Sequence, residues 1–66
     1  MAQKVIEIVG FSKESFAQAA QNAVAEAARS VRGLKWARIV DLEMALDGKK
    51  VLDYRATARL YFDVQR

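Results

Sequence analysis

The chain has 66 residues and a formal net charge of +3, and it contains no cysteine, histidine or proline. The missing cysteines exclude disulfides, thiol nucleophiles and thiolate metal sites, and the missing histidines remove the commonest general base and zinc ligand. A folded chain of this size buries only about 60% of the surface that it exposes when unfolded. Since disulfides and the usual metal sites are excluded, we expect association with further copies to supply the missing stability.

The apolar share of the chain is 53%, but twelve of these residues are alanine, so the core is thin. Basic residues are spread along the chain rather than clustered, a distribution typical of a solvated surface, and nucleic acid is therefore not the favoured partner. No apolar run approaches the roughly 18 residues of a membrane span, and the first ten residues lack the apolar core of a signal peptide. We expect a cytoplasmic protein with no membrane partner.

The first predicted element is a short strand formed by Lys4-Val5-Ile6-Glu7-Ile8-Val9. This segment is rich in β-branched residues, and it stops at Gly10. An almost continuous apolar run of this length predicts a strand that is buried on most of both faces.

A long amphipathic helix is predicted for roughly residues 13 to 32. Ser12 is placed to accept hydrogen bonds from the first-turn amides, Glu14 lies at the positive end of the helix dipole, and Gly33 supplies a left-handed residue after the helix. Because most apolar side chains of the helix are methyl groups, we expect it to approach a sheet closely. They recur at spacings of three and four in one narrow stripe: Phe16, Ala19, Ala20, Ala23, Val24, Ala27, Ala28 and Val31.

After Leu34 the apolar period changes to two, which predicts two long antiparallel strands joined by the turn Asp47-Gly48-Lys49-Lys50. If this turn pairs Leu46 with Val51, the numbers of opposed residues sum to 97 throughout the hairpin. One face of the hairpin is then small and apolar enough to receive the helix, and it consists of Ala37, Ile39, Ala56, Ala58 and Leu60.

The opposite hairpin face carries the largest side chains, and one helix can cover only one side of the sheet. Large exposed apolar patches commonly mark a binding site for a partner or a ligand. We therefore expect this face to contact a ligand or another copy of the chain. Its residues are Trp36, Arg38, Val40, Leu42, Met44, Arg55, Thr57, Arg59 and Tyr61.

Several short segments occur together in an order and spacing that resemble the dodecin family of small flavin-binding proteins. The resemblance covers nearly the whole chain without evident gaps, although strings such as Trp36-Ala37 are common when taken alone. The segments that carry it are Val5-Ile6-Glu7-Ile8-Val9-Gly10, Ser12, Glu14-Ser15-Phe16, Ala23, Ala27, Trp36-Ala37, Val40-Asp41 and the strand from Tyr54 to Phe62.

The resemblance implies an α+β fold of order β-α-β-β, with a three-stranded antiparallel sheet wrapped around one long helix in a single domain over residues 1–66. It also implies a hollow homododecamer that holds FMN or riboflavin in pairs between subunits. In that family the tryptophan that matches Trp36 stacks on the isoalloxazine ring, and an indole can quench an excited flavin by electron transfer. Members are thought to store flavin without catalysing a reaction. Without the resemblance, Trp36 is more simply interpreted as the anchor of a subunit contact.

Position 55 departs from the family, because flavin-binding relatives typically have glutamine directly after the aromatic residue that matches Tyr54. Arg55 has only donors, whereas a glutamine amide offers a donor and an acceptor to the polar edge of the flavin ring. Loss of one such bond lowers affinity by about tenfold to a hundredfold. Two hypotheses follow: Arg55 binds a phosphate or an anionic flavin edge and favours FMN, or this member has lost flavin binding. An Arg55 paired with Asp53 or Asp41 on a wet surface is the third interpretation.

The sequence favours three other classes of function less strongly. An enzyme is not expected, since the carboxylates are more simply solvated or ion-paired, although Asp41 and Glu43 lie on one strand face. The acidic residues could also line a cation site in channels of the assembly, but their spacing does not decide this, and no metal ligands are assigned. A single-strand nucleic-acid binder would use Trp36 and Tyr61 interleaved with basic side chains, but acidic residues alternate with them. A purely structural oligomer without a ligand is the last alternative.

Overall fold

The computed structural model describes residues 2–64. Its elements are β1 (Gln3–Ser12), α1 (Phe16–Ala28), β2 (Leu34–Asp47) and β3 (Lys50–Asp63). The strands form one antiparallel sheet in the order β1-β3-β2, with β3 in the centre. This confirms the predicted α+β fold with a three-stranded sheet and one helix. No helix within residues 2–64 is long and apolar enough to cross a membrane.

The core lies between α1 and the sheet and is built from very small side chains. Ala19, Ala23 and Ala27 of the helix are completely buried, and so are Ala56 and Ala58 of β3. Leu60 is the largest fully buried side chain of residues 2–64. The helix packs mainly against β1 and β3. The predicted alanine stripe therefore does place the helix backbone close to the sheet.

Gly10 is the point where helix and sheet come closest. A Cβ atom at Gly10 would lie 2.6 Å from the amide nitrogen of Ala23 and would also collide with the carbonyl oxygen of Ala19. The prediction that β1 stops at Gly10 is wrong, because the strand continues through it to Ser12. Glycine at this position allows α1 to pack close to the sheet, and it does not end the strand. The prediction that β1 is buried on both faces is also wrong, since Val5 and Val9 are each 45% exposed.

The predicted helix boundaries are too wide at both ends. The hydroxyl of Ser15 caps α1 by accepting a hydrogen bond from the Gln18 amide at 3.0 Å. The predicted cap, Ser12, instead accepts hydrogen bonds from the amides of Glu14 and Ser15 and so closes a turn before the helix.

At the carboxyl end, α1 stops at Ala28, five residues before Gly33. The Arg29 and Ser30 amides donate to carbonyls three residues earlier, which tightens the last turn and ends the regular α-helix. Gly33 does have the left-handed conformation expected for it, with φ of 76°. It belongs to the connection into β2 rather than to the helix cap.

The predicted turn is correct, and Gly48 has φ of 61° within it. The numbers of opposed residues sum to 97 beside the turn and again from Trp36 to Ile39, as predicted. Between these regions the register is shifted by one residue, with Val40 unpaired on β2 and Leu52 unpaired on β3. Such bulges move the following side chains to the other face of the sheet.

The bulge at Val40 corrects the predicted faces of β2. Leu42 opposes the buried Ala56, so Leu42 and Met44 lie on the helix side rather than beside Arg55. The predicted core is also too wide on β2, because the helix contacts this edge strand at few positions. Ile39 is 40% exposed, and Leu42 and Met44 are 55% and 47% exposed. We call Ile39, Leu42 and Met44 the β2 apolar strip.

Candidate functional site

No element within residues 2–64 covers the sheet face opposite α1, and we call this face the open face. The strand registers place its side chains in four rows across β1, β3 and β2. Residues directly opposed in an antiparallel pair lie on the same face, so each row brings three side chains together. The rows are Phe11–Arg55–Glu43, Val9–Thr57–Asp41, Glu7–Arg59–Arg38 and Val5–Tyr61–Trp36.

Trp36 stacks on Tyr61 at one end of the open face. The ring centroids are 4.5 Å apart and the planes differ by 13°. The two residues are direct cross-strand partners, which is why their rings meet. Trp36 is nevertheless 48% exposed, because β2 is the edge strand and nothing within residues 2–64 covers it. The indole is thus held by an aromatic neighbour on one side and is accessible on the other.

The next row contains two opposed arginines in different electrostatic surroundings. Arg59 donates from Nε and Nη2 to the Glu7 carboxylate at 3.1 and 2.8 Å. This hydrogen bond is the main reason that the pKa of Arg59 is raised. Arg38 opposes Arg59 on β2, and its guanidinium carbon lies 6.0 Å from the centroid of the Tyr61 ring.

Arg55 lies at the other end of the open face and is also held by neighbours. Its Nε donates to Asp53 at 2.9 Å, and its guanidinium carbon lies 4.8 Å from the centroid of the Phe11 ring. The hydrogen bond with Asp53 is the main cause that raises the pKa of Arg55. Glu43 opposes Arg55 across the strand pair. The Asp53 pairing agrees with one of the three interpretations made from the sequence.

One copy of the chain does not bring the two predicted site residues together. Trp36 contacts Tyr61, which is six residues from Arg55 on the same strand. At about 3.3 Å per residue, this separation is about 20 Å. No single flavin ring spans that distance. A site that uses both Trp36 and Arg55 must therefore draw them from different copies of the chain.

The carboxylates of the open face do not form a metal site within one copy. Asp41 and Glu43 lie on the same face of β2, as expected from their spacing, and oppose Thr57 and Arg55. Among residues 2–64 there is no group of three or more acidic side chains that could hold a metal ion.

Sequence reasoning missed Phe11 as a residue of the open face. The predicted end of β1 at Gly10 leaves Phe11 outside the strand, whereas the observed strand includes it. The alternation of Val5, Glu7 and Val9 continues to Phe11, and this pattern could have revealed the longer strand. The contact between Trp36 and Tyr61, in contrast, follows from the predicted register.

Comparisons with known proteins identify relatives over nearly the whole chain. Residues 2–65 match the family model described as Dodecin. The calcium dodecin of Mycobacterium tuberculosis is 37% identical over 62 residues, which cover 94% of this chain and 87% of that protein.

Solved structures show the same similarity in three dimensions. Dodecin from Streptomyces davaonensis has a TM-score of 0.91 at 25% identity and is matched over 98% of this chain and 96% of its own. An arginine-to-alanine variant of Thermus thermophilus dodecin has a TM-score of 0.91 at 26% identity, with coverages of 98% and 97%. The crystal structure of the M. tuberculosis calcium dodecin has a TM-score of 0.84 at 36% identity, with coverages of 98% and 93%. The chain therefore belongs to the dodecin family.

Proposed function

We propose that the protein is a non-enzymatic flavin-binding protein of the cytoplasm that stores FMN or riboflavin between subunits of a hollow homododecamer and quenches the photochemistry of the bound flavin. The observation that carries this proposal is the half-exposed Trp36 backed by Tyr61 on the open face. Offset stacking is favourable between flat aromatic rings, and an isoalloxazine ring offers a large flat surface. Since Tyr61 covers one face of the indole, the other face is available to such a ligand.

Association of copies is supported by two features of the fold. The β2 apolar strip is exposed at a sheet edge, and exposed apolar surface of this kind favours contact with a partner. Trp36 and Arg55 are separated by about 20 Å, so a ligand that contacts both must lie where copies meet. The family resemblance implies that the assembly contains twelve copies.

Arg55 and Glu43 together could replace the glutamine expected at the polar edge of the flavin. Arg55 supplies only N–H donors, and one of them is used by Asp53. Glu43 is the cross-strand neighbour of Arg55 and supplies carboxylate acceptors. A flavin edge presents carbonyl oxygens and one N–H group, so this pair offers partners for both. The bond that Arg55 cannot make would then come from Glu43.

The second candidate is a dodecin that has lost flavin binding and takes another anionic molecule or serves as a structural shell. The observation that favours it is the engagement of Arg55 with both Asp53 and Phe11, which a flavin edge would have to compete with. Calcium binding is named for the M. tuberculosis relative. Residues 2–64 of one copy hold no group of three or more acidic side chains that could bind a metal ion, and we propose no calcium site.

The proposal is tested by titrating ligand-free protein with riboflavin and with FMN. Trp36 is the only tryptophan, so its emission reports on the site without interference from other indoles. We expect saturable quenching of both the flavin and Trp36 emission, and native mass near twelve times the 7.4 kDa chain. Trp36→Ala should weaken binding at least tenfold, corresponding to loss of the stacking platform.

Tyr54→Phe is the matched control for this titration. Tyr54 lies on the helix side of the sheet and contacts Phe16 edge-on at 5.0 Å, so its hydroxyl is remote from the open face. The control variant should bind flavin like the wild type. Absence of quenching with both flavins at native mass would overturn the flavin proposal and support the second candidate.

A further inference from the structure

We propose that Arg38 binds the phosphate group of the ligand whose ring stacks on Trp36, so that the site prefers FMN to riboflavin. This inference rests on the proposed flavin function and adds the residue that selects among flavins. It assigns to Arg38 the phosphate-binding role that the sequence had suggested for Arg55.

The first argument is the distribution of charge around the Trp36–Tyr61 pair. Arg59 is neutralised by Glu7, and Arg55 is neutralised by Asp53. Lys35, beside Trp36 on β2, pairs with Asp63 at 3.8 Å. Arg38 has no carboxylate in ion-pair contact within the described part of the chain, residues 2–64. Its positive charge is therefore available to a ligand.

Two acidic groups face Arg38 at longer range and do not remove this charge. Asp41 lies in the neighbouring row of the open face, opposed to Thr57. Glu7 lies on β1, at the far end of the row that contains Arg59 and Arg38. Its Oε2 atom accepts both hydrogen bonds from Arg59. Arg38 directly opposes Arg59, and like charges in this position repel each other. A phosphate placed between them would relieve that repulsion.

The second argument is the distance between Arg38 and the stacking platform. The Tyr61 centroid lies 4.5 Å from that of Trp36 and 6.0 Å from the guanidinium carbon of Arg38. The guanidinium carbon of Arg38 therefore lies at most 10.5 Å from the indole centroid, which is the sum of these two distances. The five-carbon ribityl chain that joins the flavin ring to its phosphate suits a span of this size. Arg55, about 20 Å from the same indole along β3, is too far away in the same copy.

The third argument is that Arg38 is free to change its partner. A distance of 6.0 Å from the Tyr61 ring is at the outer limit of cation–π attraction, so this contact holds the side chain only weakly. Arginine binds phosphate through two parallel charge-assisted hydrogen bonds, which are stronger than neutral ones. At a partly solvated position, such a contact is expected to favour the phosphorylated ligand by about tenfold.

The test compares dissociation constants for FMN and riboflavin in the wild type and in Arg38→Gln. We expect FMN to bind about tenfold more tightly to the wild type at low salt, and we expect this ratio to fall to about one in Arg38→Gln. The riboflavin affinity should change much less than the FMN affinity, since riboflavin has no phosphate. Added salt should reduce the wild-type ratio, because the contact is partly exposed. Arg38→Glu should bring the ratio below one.

Arg29→Gln is the matched control, since it removes the same charge from an exposed position at the end of the helix that is paired with Glu26. This control should keep the wild-type ratio. The Arg38 assignment is overturned if the wild type binds both flavins equally, if the ratio survives in Arg38→Gln, or if Arg55→Gln alone removes it. Each of these results leaves the proposed flavin function standing. Failure of both flavins to bind the wild type would refute the flavin function and the inference together.

Discussion

Gly10→Ala should strongly destabilise the protein, although alanine is ordinarily the more favourable residue for the unfolded-state entropy. Gly10 does not have a positive φ, so its backbone conformation is open to alanine. The new methyl group would instead lie 2.6 Å from the Ala23 amide nitrogen and would collide with the Ala19 carbonyl oxygen. Both are backbone atoms of α1. No side-chain rotation can relieve the contact, and the whole helix must retreat from the sheet.

The expected loss of stability follows from the contacts that are lost when α1 moves away from the sheet. Ordinary van der Waals contact would require α1 to move by about 1 Å, and a gap of this size forfeits roughly a quarter to a half of each dispersion contact. The affected contacts are those of the fully buried Ala19, Ala23 and Ala27. Overpacking of this kind typically costs about 1–3 kcal/mol, and we expect the upper end. A chain of this length has a total stability of about 3–10 kcal/mol, so the loss is a large fraction.

Urea unfolding measures the loss of stability in Gly10→Ala. The protomer concentration is kept fixed, because assembly makes stability depend on concentration. Gly48→Ala is the control, because a Cβ atom there meets nothing within 4 Å and only the positive φ of 61° opposes it. The free energy of unfolding of Gly48→Ala should be lower than that of the wild type by about 1–2 kcal/mol. If Gly10→Ala is as stable as the wild type, or less affected than Gly48→Ala, the close helix–sheet contact at Gly10 is refuted.

Three further substitutions test the core and the open face. Leu60→Ala should lower the free energy of unfolding by about 3 kcal/mol, because Leu60 is 1% exposed and its removal leaves a cavity; a loss below 1 kcal/mol in urea unfolding would contradict this packing. Arg55→Gln should leave the urea midpoint almost unchanged, since partly exposed ion pairs contribute little, and a large fall in the midpoint would show that the pair is structural. Tyr61→Leu should shift the Trp36 emission to longer wavelength and weaken flavin binding twofold to tenfold, whereas unchanged spectra would exclude the stack.

The fold could be predicted largely because its local patterns agree with its global structure. The alanine stripe at spacings of three and four marks the helix face, and alternation after Leu34 marks the hairpin. The Asp47-Gly48 turn fixed the first pairs of the register correctly. Even the helix connection contains the left-handed Gly33 that was expected.

The predictions from the sequence are wrong where one residue type can serve more than one structural role. A glycine after a β-branched run usually ends a strand, but at Gly10 it permits the approach of Ala19 and Ala23, whose positions depend on tertiary packing. Ser12 and Ser15 are both good cap residues, and only the path of the chain decides between them. The bulge at Val40 has no signal in the alternation, because Val40 and Leu42 read as one apolar face in the sequence.

Part of the arrangement of the candidate site residues could be predicted from the turn register. The contact between Trp36 and Tyr61 follows from the turn register, because the numbers of the two residues sum to 97. The same register already separates Trp36 from Arg55, because Arg55 lies six residues from Tyr61 on the same strand. The neutralisation of Arg55 by Asp53 depends on side-chain conformation, which the sequence pattern leaves open.

The most direct test of the central claim is a crystal structure of the protein grown with FMN. We expect the isoalloxazine ring to lie parallel to the Trp36 indole, on the face not covered by Tyr61, at a contact between two copies. A flavin bound elsewhere, or an indole buried against a neighbouring copy with no room for a ring, would contradict the account.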